Sequence, residues 1–131
     1  MDVDELRRLP PFAGLTDVGL QRLAVRAAEL RAAGGQVLAL EGDPGAGMFV
    51  LCDGNVEVEL RMGKLELGPG DFFGELALLA TDRRTATVTA RTDMQLVVMH
   101  RQAFLQVEQS LPTVASQLRE AVAARMPPAA S

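Results

Sequence analysis

The sequence predicts a mainly β domain, a small barrel or sandwich with helices flanking it at both ends. Three observations carry that expectation. Apolar residues recur at helical spacing from Leu20 to Leu30 and again from Val114 to Val122, the pattern that lines one face of a helix. Between these stretches, short alternating or β-branched runs are divided by Gly- and Pro-rich turns about every 8 to 12 residues, the punctuation of an all-β core. The chain has 131 residues, enough for one sizeable hydrophobic core and too few for two.

In chain order, Leu6 to Leu15 contains Pro10-Pro11, which interrupts any helix and predicts a short turn leading into a longer helix. Thr16 has the type and place of an N-cap, with Leu15 and Leu20 set as a hydrophobic staple. The helix then runs through Leu20, Leu23, Ala24, Ala27 and Leu30, so a helical opening is expected over 1–33. From Gly34-Gly35 the period becomes that of strands. Strands are expected at Gln36–Leu40, Met48–Cys52, Val56–Leu60, Leu65–Leu67, Thr85–Arg91 and Met94–His100. The clearest is the third, where Val56, Val58 and Leu60 alternate with Glu57, Glu59 and Arg61, as a half-buried antiparallel strand should. Turns fall at Glu41 to Gly47, at Met62-Gly63-Lys64, at Arg91-Thr92-Asp93, and at Asp53-Gly54, a strong hairpin signal. A helix follows over Arg101–Gln109, and a second begins at Pro112, where proline is best tolerated. Its apolar stripe is Val114, Leu118, Ala121 and Val122, Pro127-Pro128 ends it, and 129–131 is a frayed tail or the stump of a linker.

The bulk chemistry excludes several classes. A net charge of −4 argues against a nucleic-acid surface, which needs clustered Lys and Arg. One cysteine, Cys52, and one histidine, His100, leave no disulfide framework and no credible metal-ligand set. Cys52 sits in an apolar run and is expected in the core, and His100 is expected to be structural or at the surface. No segment approaches the roughly 18 to 20 apolar residues of a membrane span, and Met1-Asp2-Val3-Asp4-Glu5 has neither the basic start nor the apolar centre of a signal peptide. The domain is expected to be soluble and cytoplasmic, without direct membrane insertion.

The chemistry is concentrated in Phe72 to Val88, FFGELALLATDRRTATV. Gly74 allows close backbone approach at a turn. Glu75-Leu76-Ala77-Leu78-Leu79 has the composition of one or two helical turns, and a helix start attracts anions through its unpaired N–H groups and its dipole. Arg83 and Arg84 then supply guanidinium forks suited to two phosphate oxygens at once. As bare residues, Glu75 and Arg84 would also fit a surface ion pair worth under about 1 kcal/mol.

This stretch resembles the phosphate-binding cassette of the cyclic nucleotide-binding domain family. The cassette reads F-G-E-(L/I)-A-L, a variable loop, then (P/R)-R-(T/S/A)-A-(T/S)-V, and here stands as Phe73-Gly74-Glu75-Leu76-Ala77-Leu78 and Arg83-Arg84-Thr85-Ala86-Thr87-Val88. Arg83 fills the slot that is often proline. Glu41-Gly42-Asp43-Pro44-Gly45 resembles the family's early strand turn, and Leu67 to Glu75 its approach to the cassette. The resemblance extends from about Pro11 to Met126 and is closest in appearance to the regulatory domains of bacterial cyclic nucleotide-gated potassium channels.

The resemblance implies an eight-stranded jelly-roll barrel, a double-stranded β-helix with an N-terminal helix and two C-terminal helices, and the cassette before the seventh strand. The whole chain, 1–131, would be a single domain, with the barrel over 34–100, the C-terminal helices and a lid over 101–126, and a tail over 127–131. It further implies that Arg84 binds the cyclic phosphate, Glu75 accepts from the ribose 2′-hydroxyl, and the backbone N–H groups of Leu76, Ala77 and Thr85 complete the anion site. That division suits the chemistry, since an ionised carboxylate only accepts. Val58 is a candidate apolar wall for the purine and equally a plain core residue. Arg125, with Arg119 as its rival, is a candidate to cover the base, and each is equally readable as a solvated helix charge. The Thr85 hydroxyl is a candidate contact to a guanine edge. Both cyclic AMP and cyclic GMP are expected ligands, with no cofactor and no enzymatic activity. The expected partner is an effector domain, a membrane channel pore foremost. Three other readings compete with this one. The sensor of a catabolite-activator-like transcription regulator would continue into a longer dimerising helix and a helix-turn-helix, which 112–131 do not supply. A metal-dependent cupin enzyme would need more histidines, and a degenerate ligand-free scaffold would not need both charged cassette residues.

Overall fold

The computed structural model describes residues 2–42, 47–60, 63–74 and 86–124, without the side chain of Val122. Helix α1, Val3–Arg7, is short and is started by Asp2, whose carboxylate accepts from the Asp4 N–H at 2.8 Å. It lies within the helical opening expected over 1–33, as a separate helix ahead of Pro10-Pro11. Pro10–Phe12 form one 3-10 turn. Helix α2, Asp17–Arg26, begins as expected, with Thr16 Oγ1 accepting from Gly19 N at 3.1 Å. It ends earlier than its apolar period. Ala27 is already extended, with ψ 140°, and Ala28–Ala32 form strand β1. Leu30 fits the helical stripe but pairs with Leu96 across a sheet, so the barrel starts before the glycines at 34 and 35.

Strands β2 (Val37–Ala39), β3 (Gly47–Asp53), β4 (Val56–Leu60), β5 (Gly63–Leu67), β6 (Phe72–Phe73), β7 (Thr87–Ala90) and β8 (Met94–His100) follow. Helices α3 (Arg101–Ser110) and α4 (Pro112–Ala124) close the described chain. Two antiparallel four-stranded sheets result, in the orders β1-β8-β3-β6 and β2-β7-β4-β5. This is the expected jelly roll. The alternation on β4 holds, with Glu57 on the outer face beside Lys64 at 3.4 Å and Arg91 at 3.9 Å.

Asp53-Gly54 is not a hairpin. Strand β3 belongs to one sheet and β4 to the other, so the turn is a corner that carries the chain across the barrel. Gly54 has φ +88°, and a Cβ there would lie 2.6 Å from the Asp93 carbonyl oxygen. The same geometry that favours a tight turn serves a corner packed against a second corner, Arg91–Asp93. Backbone N–H groups knit the two together: Asn55 N donates to Thr92 Oγ1 at 3.1 Å and Arg91 N to the Asn55 carbonyl at 2.9 Å. Gly34 N adds a bond to Asp93 Oδ1 at 3.0 Å. These bonds tie the two corners together at this end of the barrel.

Two cores share the first sheet. Its outer face, with Met48, Val50, Phe72, Val97 and Met99, packs against Leu6, Phe12, Leu20, Leu23, Phe104, Val107 and Leu118 of the helices. Its inner face, with Leu51, Phe73 and Leu96, meets Val56, Val58, Leu67, Val88 and Ala90 of the second sheet. Each fully buried Leu, Val, Phe or Met side chain contributes about 1.5 to 3 kcal/mol. Cys52 is half-buried against the helical core, and burial foremost, then the charges of Glu29, Glu5 and Asp53, push its thiol above the usual range. His100 ends β8, is exposed, and makes no side-chain cap on α3.

Candidate functional site

Strand register fixes which end of the lumen the candidate site adjoins. Val56 pairs with Leu67 and Ala90 near the two corners, whereas Leu60 pairs with Gly63 and Glu59 with Thr87 at the opposite end. Strand β6 also runs away from the corners, because Asp71 is bonded to Leu51 through its carbonyl and Phe73 pairs with Phe49. Gly74 and Ala86, the described residues that flank positions 75–85, therefore both lie at the end opposite the corners. Gly74 has φ +79°, a conformation open to glycine and strained for other residues, in keeping with the turn expected there.

The lumen wall is apolar throughout its described part, and its burial is graded. Val56 and Val58 are 0% exposed. Phe49 and Leu60, nearer the Gly74 end, are half-buried against the same cluster, as is Leu65 opposite Val58. Val58 pairs with Leu65 and Val88 and belongs to the lumen cluster, fully buried. The accessible apolar surface belongs to residues that sequence reasoning left out. Leu60 carries the same strand parity as Val58, which was a usable signal. Phe49 and Phe73 stack with ring centroids 4.9 Å apart and planes 13° apart. Nothing in a one-dimensional pattern distinguishes such a pair from ordinary core.

On β4 and β5 the charged residues Glu57, Glu59, Lys64 and Glu66 alternate with the apolar members of the lumen cluster and so point away from it. An anion held there would need its positive partner from elsewhere in the chain. Of the residues singled out from sequence, Gly74 and Val58 are described, while Glu75, Leu76, Ala77, Arg84, Thr85 and Arg125 lie outside the described residues. So do Asp43, Pro44, Arg61, Met62, the other cassette positions through Thr85, and the 125–131 end with Met126 and Pro127-Pro128. Arg119, the rival for covering a base, is engaged elsewhere. It pairs with Glu108 of α3, and its guanidinium sits 5.0 Å from the centre of the Phe104 ring. That contact ties α4 to α3. Among the described residues no group of His, Cys, Asp and Glu could hold a metal ion, and no helix is long and apolar enough to cross a membrane.

Comparison with known proteins agrees with this architecture. The family described as "Cyclic nucleotide-binding domain" matches residues 29–110. A cyclic nucleotide-gated potassium channel of Mesorhizobium japonicum is 39% identical over 97 residues, which cover 74% of this chain and 27% of the channel. The chain thus spans about a quarter of that relative's length. Among solved structures, the N-terminal domain of a transcriptional regulator from Streptomyces coelicolor is 36% identical with a TM-score of 0.76, covering 95% of this chain and 90% of that one. A structure from Geobacter metallireducens has a TM-score of 0.87 over 95% of each chain at 23% identity, which speaks for the fold alone. With the family matched over more than half its length and the two-sheet barrel in place, the chain belongs to the cyclic nucleotide-binding domain family.

Proposed function

We propose that this domain is a sensor for a cyclic nucleotide, without catalytic activity of its own, and that it reports ligand binding to an effector through its C-terminal helix. The observation that carries the reading is the filled cassette within the matched span, with both charged members, Glu75 and Arg84, between flanking residues at the lumen mouth. The described lumen wall is apolar, so it suits a base and leaves the phosphate to the cassette. In this reading Arg84 binds the cyclic phosphate, Glu75 accepts from the ribose 2′-hydroxyl, and backbone N–H groups of Leu76, Ala77 and Thr85 complete the anion site beside Gly74. Val58 backs the apolar wall against the purine, Arg125 covers the base, and the Thr85 hydroxyl is available to a guanine edge. Cyclic AMP and cyclic GMP share the phosphate and ribose, so both bind, with cyclic AMP the physiological ligand.

Residues 112–126 form the lid, drawn over the pocket by ligand. The free energy passed to an effector cannot exceed the ligand's preference for the closed form. The proposed effector is an ion-channel pore, with the domain on its cytoplasmic side, as the likeness to a gated potassium channel supports. A transcription regulator is the second reading, favoured by the likeness to the Streptomyces coelicolor domain over most of both chains. Calorimetric titration of this chain with cyclic AMP, cyclic GMP and the acyclic 5′-AMP tests the proposal. Saturable uptake of the cyclic ligands with much weaker uptake of 5′-AMP is expected, and uptake of none would overturn it.

A further inference from the structure

One edge of the first sheet is open and carries a sequence complementary to itself. Strand β1, Ala28–Ala32, is the outermost strand of the order β1-β8-β3-β6 and pairs with β8 on one side only. Its register with β8 runs without a shift. Ala28 through Arg31 are exposed, and Leu30, at 37%, is one of the exposed large apolar side chains. An edge strand presents unpaired N–H and C=O groups that a further strand can take up, and a proline or a bulge would guard against it. Ala28–Ala32 has neither.

The two charges of β1, Glu29 and Arg31, lie on the helix-facing side of the sheet. Glu29 pairs with Val97 of the helical core and Arg31 shares its parity, whereas Leu30 pairs with Leu96 and Ala32 with Met94 of the lumen core. A second copy of β1, added antiparallel about a two-fold axis through Leu30, keeps these faces. Glu29 then stands opposite Arg31 of the second copy and Arg31 opposite its Glu29, while small Ala28 meets small Ala32. Opposite charges so placed stabilise a strand pair and like charges destabilise it. Moving the axis to Glu29 or to Arg31 would set that residue opposite itself, so the charges select one register. Neither Glu29 nor Arg31 has an ion-pair partner among the described residues. The other edges fit less well. Strand β6 has 2 residues, and β2 has 3 with a shifted register against β7. Strand β5 sets Lys64 and Glu66 about Leu65, but Lys64 already lies 3.4 Å from Glu57 of β4.

We propose that this chain forms a homodimer by antiparallel pairing of β1 with β1 of a second copy, joining their two four-stranded sheets into one continuous sheet. The inference stands apart from the cyclic nucleotide reading, since β1 holds none of the cassette. One strand edge buries less than the roughly 1,200 Å² of a stable interface, so the dimer is weak and concentration-dependent. Sedimentation velocity from micromolar to near-millimolar concentration tests it on the unaltered chain, Glu29→Arg, Arg31→Glu, the double exchange of both, and Lys64→Glu, each first checked for a cooperative melt. The unaltered chain dimerises reversibly in the upper part of that range. Each single reversal at β1 weakens the dimer by about tenfold or more, the double exchange restores it to within about threefold, and Lys64→Glu leaves it unchanged. Without any substitution, amide exchange over Ala28–Ala32 slows as concentration rises. A chain that stays monomeric, a dimer indifferent to the single reversals or lost in Lys64→Glu, a double exchange no better than the singles, or unchanged exchange in β1 on dimerisation overturns the inference.

Discussion

Gly54 shows how a single residue decides the path of the chain. Its φ of +88° is disfavoured for any residue with a Cβ, and that Cβ would meet Asp93 O at 2.6 Å, Thr92 Oγ1 at 2.8 Å and Met94 Cγ at 2.9 Å. Two of these neighbours belong to a second corner that the Asn55 and Arg91 backbone bonds hold in place, so they have little room to retreat. Gly54→Ala should cost about 2 to 3 kcal/mol of folding stability from strain and crowding together. Chemical denaturation checks it, and a loss under about 0.5 kcal/mol would mean the corners are loosely packed. The residue type at this point was legible in the sequence as a turn. Its partner was not, because Asp-Gly signals a reversal of direction without saying whether the next strand pairs with the last or crosses to another sheet.

Among the elements, those with a chemical boundary were legible and those without one were not. Thr16 announces α2, Pro112 announces α4, and the strict alternation of Val56, Val58 and Leu60 announces β4. Strand β1 was hidden because Leu30 continues the helical stripe, and the chain leaves the helix at Ala27 without a glycine or proline to mark it. Strand β6 has two residues, too few to show any period. For α4 the structure adds a constraint on its proposed motion. Arg119 joins it to Glu108 and Phe104 of α3, and Val114 packs within 3.1 Å of where a Gly19 Cβ would stand on α2. A helix pinned at these points changes position by breaking or carrying along identifiable contacts. If it is the lid, hydrogen exchange in α4 should slow on saturation with cyclic AMP, and Arg119→Ala should alter that response. Unchanged exchange throughout α4 would remove the lid from the account and leave the binding site standing.

At the scale of the whole molecule, the barrel has two unlike ends. One carries corners bonded to each other through Gly34, Asn55 and Arg91, while at the other, Gly74 and Ala86, which flank positions 75–85, lie near half-buried Phe49 and Leu60. The candidate site was legible in the sequence as residue types, a carboxylate and a guanidinium at fixed spacing. The apolar mouth was not, because it assembles from β3, β4, β5 and β6, and only their register brings those side chains to one end. The proposed function divides the labour between an apolar barrel wall and a charged cassette. On that proposal, removing the guanidinium of Arg84 should abolish most of the affinity without disturbing the barrel, whose described core is built from apolar side chains. Calorimetry with cyclic AMP on the unaltered chain and on Arg84→Ala tests this most directly. The account predicts a loss on the order of 2 to 5 kcal/mol of binding free energy with the melting transition of the ligand-free protein nearly unchanged. An Arg84→Ala protein that binds cyclic AMP as tightly as the unaltered chain would contradict it.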